Sequence, residues 1–178
     1  MILETIIIVL YSIALLLIFL YALAQLNLLL NFLKEKNKKL KCEKFDFSKQ
    51  KEIPFVTIQL PVYNELYVMK RLLTNISELE YPKDKLEIQV LDDSTDESFE
   101  TTAIQIKTLQ KTGLDIQHIT RSDRKNYKAG ALKEGLKIAK GEFIAIFDAD
   151  FIPQKKWLQL TVPFFKNSEI GVVQTRWG

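Results

Sequence analysis

From Ile6 to Ala24 the chain reads IIIVLYSIALLLIFLYALA, with no charged residue and with Ser12 as its one small polar side chain. Apolar character continues to Leu33. At about 1.5 Å per residue, some 20 such residues cross a hydrocarbon core of roughly 30 Å, so residues 1–33 are read as one N-terminal transmembrane helix. A cleaved signal peptide fits poorly. No basic residue precedes the run, the run is too long, and no small-residue cleavage site comes before the lysines that follow. Gln25, Asn27 and Asn31 near the inner end suit either partner helices or headgroup solvation.

Residues 34–51 form a lysine-rich juxtamembrane linker, in which eight lysines stand against Glu35, Glu43 and Asp46, a net +5. By the positive-inside rule, everything after Lys34 is expected in the cytoplasm, at the inner face of a membrane. The whole chain carries +3, so the remainder sums to −2 and offers no basic face for nucleic acid. The single Cys42 makes no intramolecular disulfide, and no Cys/His cluster suggests zinc. A reducing compartment is the natural setting.

Residues 52–178 supply enough apolar material for one packed domain. Phe55 to Leu60 is β-rich, and Leu66 to Leu79 repeats apolar residues at helical spacing. Leu86 to Leu91 reads as a second strand. Ser94 or Asp96 is placed to cap a helix running to about Lys111 and ended by Gly113. A third strand is expected at Asp115 to Thr120, a helix at Ala129 to Lys140 and a fourth strand at Glu142 to Phe147. Trp157, Leu158, Leu160 and Phe164 fit a helix packed on the sheet, and IGVVQTRW from Ile170 suggests one more strand. Strands alternating with single helices define an α/β fold with a mostly parallel sheet and helices on both faces.

In such sheets ligands bind at the carboxyl ends of the strands. The first strand is followed by PVYNE (Pro61, Tyr63, Glu65), the second by Asp92 and Asp93, and the fourth by Asp148 and Asp150, which gathers five carboxylates and an aromatic on one edge. Any one of these loops alone would read as a helix cap. Asp148 and Asp150, two residues apart at the end of an apolar strand, are expected on one side of an extended chain and among apolar neighbours. Two carboxylates held close repel unless a cation lies beside them, so the pair is read as a platform for a hard divalent ion and a diphosphate. Lys128 stands at a helix start, where free N–H groups already favour phosphate. Arg121, Arg124 and Lys125 fit anion contact and a merely solvated loop equally. No GxxxxGK[ST] or GxGxxG occurs. His118, with no second histidine in the chain, is expected to be a satisfied or exposed residue.

In order, LPVYNE, VLDDSTD, NYKAGAL and FDADF resemble the motifs of family 2 glycosyltransferases of GT-A fold, over about Phe55 to Gly178. The likeness extends to the membrane-bound synthases of β-linked polysaccharides, such as glucomannan and cellulose synthase-like enzymes. It implies a Rossmann-like GT-A nucleotide-binding half. Tyr63 would lie against the nucleobase, with Pro61 where many relatives carry a hydroxyl. Asp93, with Asp92 beside it, would recognise base or ribose, Lys128 would approach the diphosphate, and Asp148 would contact the sugar nucleotide. Asp150, with Asp148, would hold Mg²⁺ or Mn²⁺. Asn126 stands where such loops often have glycine, and asparagine tolerates positive φ.

The resemblance implies transfer of a hexose from UDP-glucose or GDP-mannose to a polysaccharide acceptor, with inversion. Single transfer to a lipid, as in ceramide glucosyltransferase-like relatives, and a non-catalytic membrane-tethered nucleotide-binding module are the alternatives. No carboxylate is evident as the base for the acceptor. In the family that base and a QxxRW motif come later, whereas this chain ends at QTRWG, spaced QxRW. The expectation is therefore the donor-binding part of a truncated enzyme, which binds nucleotide without turnover.

Overall fold

The computed structural model describes residues 2–35 and 52–175. Most of the expected linker, 36–51, and the QTRWG terminus from 176 lie outside the described residues. The chain divides into two compact units, Met1–Cys42 and Glu43–Gly178.

In the first unit, helix α1 (Ile2–Glu35) is a single run of 34 residues, long and apolar enough to cross a membrane. Three of its polar side chains bond within the helix. Ser12 Oγ donates to the Ile8 carbonyl at 2.8 Å, and Asn31 Nδ2 donates to Asn27 Oδ1 at 3.1 Å. Such internal pairing lowers the cost of placing these groups against lipid.

The second unit is built on four parallel strands in the order β3-β2-β1-β4. They are β1 (Val56–Val62), β2 (Leu86–Asp92), β3 (Asp115–Ile119) and β4 (Phe143–Ile146). Helices α2 (Met69–Ser77), α3 (Ser98–Gln110) and α4 (Tyr127–Ile138) connect them, and a short α5 (Trp157–Thr161) follows. The parallel α/β sheet inferred from the alternation is present, and the element ends differ by a few residues. The largest difference is at α2, where Leu66 and Tyr67 lie in a turn. Asn64, at φ 56°, bends the chain just before them.

Alternation gives the sheet two chemically different faces. Val56, Ile58 and Leu60 of β1 and Leu86, Ile88 and Val90 of β2 join Met69, Leu72, Leu73 and Ile76 of α2 and Ile106 of α3 in one apolar core. The opposite face carries Thr57, Gln59, Glu87 and Gln89, all buried. Register explains how they are satisfied, because Thr57 lies beside Glu87 and Gln59 beside Gln89. Thr57 Oγ1 donates to Glu87 Oε2 at 2.6 Å, and Gln59 Nε2 donates to Gln89 Oε1 at 2.9 Å. Gln117 Nε2 and the Lys140 N–H also donate to Glu87, at 3.1 and 2.9 Å, and the Gly141 N–H donates to Thr57 Oγ1 at 2.8 Å. Helix α4 closes over this layer. Gly135 permits the approach, since a Cβ there would stand 2.7 Å from Gln59 Nε2 and 2.8 Å from Gln89 Oε1.

The strand expected from Ile170 is not formed within the described residues. Residues 170–175 run without ladder bonds, and Val172 is exposed. Val172 to Thr175 line the same cavity as Ile144 to Phe147 of the β4 segment, and among the described residues β4 pairs only with β1. A hydrogen bond from Trp157 Nε1 to Thr175 Oγ1, 3.2 Å, fixes the segment's end.

Candidate functional site

A cavity of about 450 Å³ opens at the carboxyl ends of β1, β2 and β4. Pro61 lines it from the end of β1, Tyr63 and Glu65 from the loop that follows, Asp93 from the second loop, and Asp148 and Asp150 from the loop after β4. Arg124, Tyr127 and Lys128 line it from the start of α4 and the loop before it. The structure thus brings together the strand-end candidates and Lys128, with Asp92 the exception, while Arg121 and Lys125 of the basic loop do not line the cavity.

Adjacent residues at a strand end face opposite ways, and this separates the two aspartates. Asp92 is buried at the end of β2, where it accepts from the Ser94 N–H at 2.8 Å and meets His118 Nε2 at 2.8 Å. It does not line the cavity, whereas Asp93, beside which it was expected at the ligand, does. His118 is a satisfied residue, as its sequence context indicated, with its ring 4.9 Å from that of Phe99. Burial acts to raise the Asp92 pKa, but the hydrogen bonds from His118 and Ser94 outweigh it and hold the carboxyl below its ordinary value. A carboxyl with a depressed folded pKa contributes stability that is present above its unfolded pKa and is lost as pH falls through the folded one. Acidification below the usual aspartate range should therefore destabilise the domain. Asp92→Asn should flatten that part of the profile, as measured by urea midpoints at a series of pH values.

Asp93 is the aspartate on the cavity side, and it is already engaged. Arg121 grips it with two bonds, Nε to Oδ1 at 2.7 Å and Nη2 to Oδ2 at 2.5 Å, while the Asp93 side chain is only 7% exposed. The same guanidinium donates to the carbonyls of Lys125 and Tyr127, each at 2.8 Å. Arg121 therefore fastens the loop before α4 onto the end of β2. Gly130 lets it do so, because a Cβ there would collide with the Lys125 carbonyl and Arg121 Nη1. Further stitches join the first two loops. The Asn64 N–H donates to Ser94 Oγ and Asn64 Oδ1 accepts from the Thr95 N–H, both at 2.9 Å.

Among the described residues, the non-glycine positions with positive φ are Asn64 (56°), Asn126 (62°) and Tyr127 (45°), all flanking the cavity. Asn126 adopts the left-handed conformation that its place in a usually glycine position required. Backbone held in this region commonly marks functional sites.

Sequence reasoning left Arg121 and Arg124 undecided between anion contact and solvent. The structure separates their roles, with Arg121 a clamp and Arg124 a cavity wall. Arg124 lays its guanidinium over Tyr63, 3.3 Å from Cζ to ring centroid, and Tyr127 lies 5.5 Å away. No sequence signal distinguishes one arginine of this basic loop from the other.

The aspartate pair differs in conformation from the sequence reading. Asp148, Ala149 and Asp150 lie beyond the end of β4 in a turn closed by the Phe151 N–H on the Asp148 carbonyl, 3.0 Å, and not in an extended chain. Both aspartates are exposed, not enclosed. The apolar rings lie beneath them, with Phe147 buried between Phe151 at 5.3 Å and Trp157 at 4.8 Å. Lys128 Nζ donates to Asp148 Oδ1, and both side chains are half exposed. Among the described residues no group of three or more His, Cys, Asp or Glu could hold a metal ion. Two exposed carboxylates at a cavity mouth nevertheless fit a hard cation that takes the rest of its shell from phosphate oxygens and water.

A parallel α/β sheet with acidic loops and a cationic helix start converging at its carboxyl edge gives this unit a GT-A-like fold. Residues 57–178 match glycosyl transferase family 2, and the chain belongs to that family. It is 46% identical over 131 residues to probable glucomannan 4-beta-mannosyltransferase 7 of Oryza sativa subsp. japonica, covering 71% of this chain and 22% of that protein. It is 39% identical over 143 residues to glucomannan 4-beta-mannosyltransferase 1 of Cyamopsis tetragonoloba, covering 78% and 27% respectively. The chain thus spans about a quarter of the length of these relatives. Among solved structures it is similar to the mannosyltransferase PcManGT of Pyrobaculum calidifontis in complex with GDP-Man and Mn²⁺. That similarity has a TM-score of 0.65 at 31% identity, over 80% of this chain and 41% of that one.

Proposed function

We propose that this chain binds the nucleotide-sugar donor of a membrane-associated, metal-dependent, inverting hexosyltransferase that extends a β-linked polysaccharide, with GDP-mannose favoured over UDP-glucose. The observation that carries this reading is the single cavity at three strand ends in which Tyr63, Asp93, Lys128, Asp148 and Asp150 meet. The names of the plant relatives and the GDP-Man in the archaeal mannosyltransferase favour mannose as the sugar and guanosine as the nucleoside. Helix α1 would tether the domain to the membrane, on the cytoplasmic side by the excess of lysines after it.

In this reading Tyr63 supports the base, with Pro61 and Glu65 shaping the loop around it, and Asp93 holds the nucleoside. Lys128 turns from Asp148 to the diphosphate, where its charge opposes the charge that grows on the departing phosphate. Asp148 and Asp150 would hold Mg²⁺ or Mn²⁺, which when bound supplies Lewis-acid stabilisation of the leaving diphosphate. Attack by the acceptor hydroxyl requires a carboxylate to take its proton. None of the cavity's carboxylates is assigned that role.

Titration of the full chain with GDP by calorimetry, with and without Mn²⁺, tests the reading. Binding should strengthen with Mn²⁺, and Asp150→Ala should remove that gain, a loss of about tenfold or more. Asp150 is exposed, so the variant should retain its circular dichroism. Equal binding with and without metal, or by the variant and the parent, would overturn the assignment of the pair.

A further inference from the structure

Arg124 occupies the place that the proposed function gives to the nucleobase. Its guanidinium covers the Tyr63 face, 3.3 Å from the centroid, as a cation over a π-system. Its Nε is buried without a hydrogen-bond partner and stands 3.8 Å from Asp93 Oδ2, too far for a bond. The ion pair with Asp93 offsets part of the charge, but a buried donor without a hydrogen bond is costly and calls for an explanation. The backbone around it cannot carry it away. Arg121 holds the carbonyls of Lys125 and Tyr127, and the Lys125 N–H donates to Asp123 Oδ1 at 3.2 Å. A base entering against Tyr63 must therefore displace the side chain alone, and the displaced fork remains at the base's rim.

The chemistry of that rim selects the base. Guanine offers two adjacent acceptors, O6 and N7, which match an arginine fork, whereas uracil offers no adjacent acceptor pair. Guanine also presents adjacent donors on its other edge, toward which a carboxylate such as Asp93 is the matching acceptor. From this we infer that Arg124 is a specificity-determining residue. It covers Tyr63 in the free protein and, once displaced, reads the O6/N7 edge of guanine, so that the chain prefers GDP to UDP. The inference rests on the nucleotide-binding reading above and adds the residue that chooses the nucleotide.

The test is calorimetric titration of the full chain, in detergent with saturating Mn²⁺, with GDP and with UDP, for the parent, Arg124→Ala and Arg124→Lys. The parent should bind GDP more tightly. Arg124→Ala should lower the GDP-to-UDP affinity ratio about tenfold, mainly by weakening GDP. Arg124→Lys keeps the charge but not the fork, and should lower the ratio similarly. If Arg124→Ala fails to fold, as judged by circular dichroism, the lysine variant decides. An unchanged ratio, an equal loss for both nucleotides, or a parent that binds UDP as tightly as GDP overturns the inference while leaving nucleotide binding intact. A parent that binds neither nucleotide overturns both.

Discussion

Glu87→Ala is expected to remove about 2–4 kcal/mol of folding stability, the cost of leaving buried donors without their acceptor. Glu87 has no exposed surface, and its carboxylate collects donors from Thr57, Gln117 and the Lys140 backbone. Truncation leaves the fully buried Thr57 hydroxyl without its acceptor and deprives the part-buried Gln117 amide and Lys140 N–H of theirs, and a donor stranded away from water carries its full desolvation cost. Glu87→Gln keeps the shape and one acceptor oxygen, but it points an NH₂ at a neighbouring donor. Its loss should be smaller, about 1–2 kcal/mol. Chemical denaturation of both variants checks the order. A domain of this size commonly holds 5–15 kcal/mol in all, so the alanine variant should already be partly unfolded in mild denaturant.

The second large effect is expected at Arg121, through loop position. Arg121→Ala removes two bonds to Asp93 and two to main-chain carbonyls. It strands a carboxylate that is only 7% exposed, a change expected to cost about 2–4 kcal/mol. Arg124 stands near enough to swing onto Asp93, which would soften the loss but leave Tyr63 bare. GDP affinity should fall by about tenfold or more, because the loop that presents Lys128 is no longer fixed. Arg121→Lys should rescue little. An ammonium is a single point and cannot hold a carboxylate and two carbonyls in one plane as the guanidinium does. Denaturation midpoints and GDP titration on the same preparations separate the two effects, and wild-type affinity in Arg121→Ala would show that the clamp is not needed for binding.

The strands were legible because VTIQL and LEIQV alternate residue types with the period of an extended chain, and the acidic loops were legible because they follow those strands directly. The same alternation misleads about Thr57, Gln59, Glu87 and Gln89, which would ordinarily face water. They are buried because neighbouring strands align them into mutually bonded rows, and register is a property of strand pairs. The segment from Ile170 has strand composition without a ladder partner among the described residues, and composition alone does not make a strand. Asp148 and Asp150 were identifiable as a pair, but the turn that exposes them depends on where β4 stops pairing with β1, at Ile146. Asp92 and Asp93 look alike on paper. The last peptide of β2 decides which of them meets the cavity.

The polar layer beneath α4 has a mechanical consequence. Oily contacts tolerate sliding, whereas hydrogen bonds hold only over a narrow range of length and angle. Just beyond one end of α4, Lys140 and Gly141 bond to Glu87 and Thr57, and at its other end the Tyr127 carbonyl is gripped by Arg121. Pinned at both ends, the helix behaves as a strut keyed to the sheet, so the backbone that carries Lys128 keeps its place while the half-exposed side chain is free to turn.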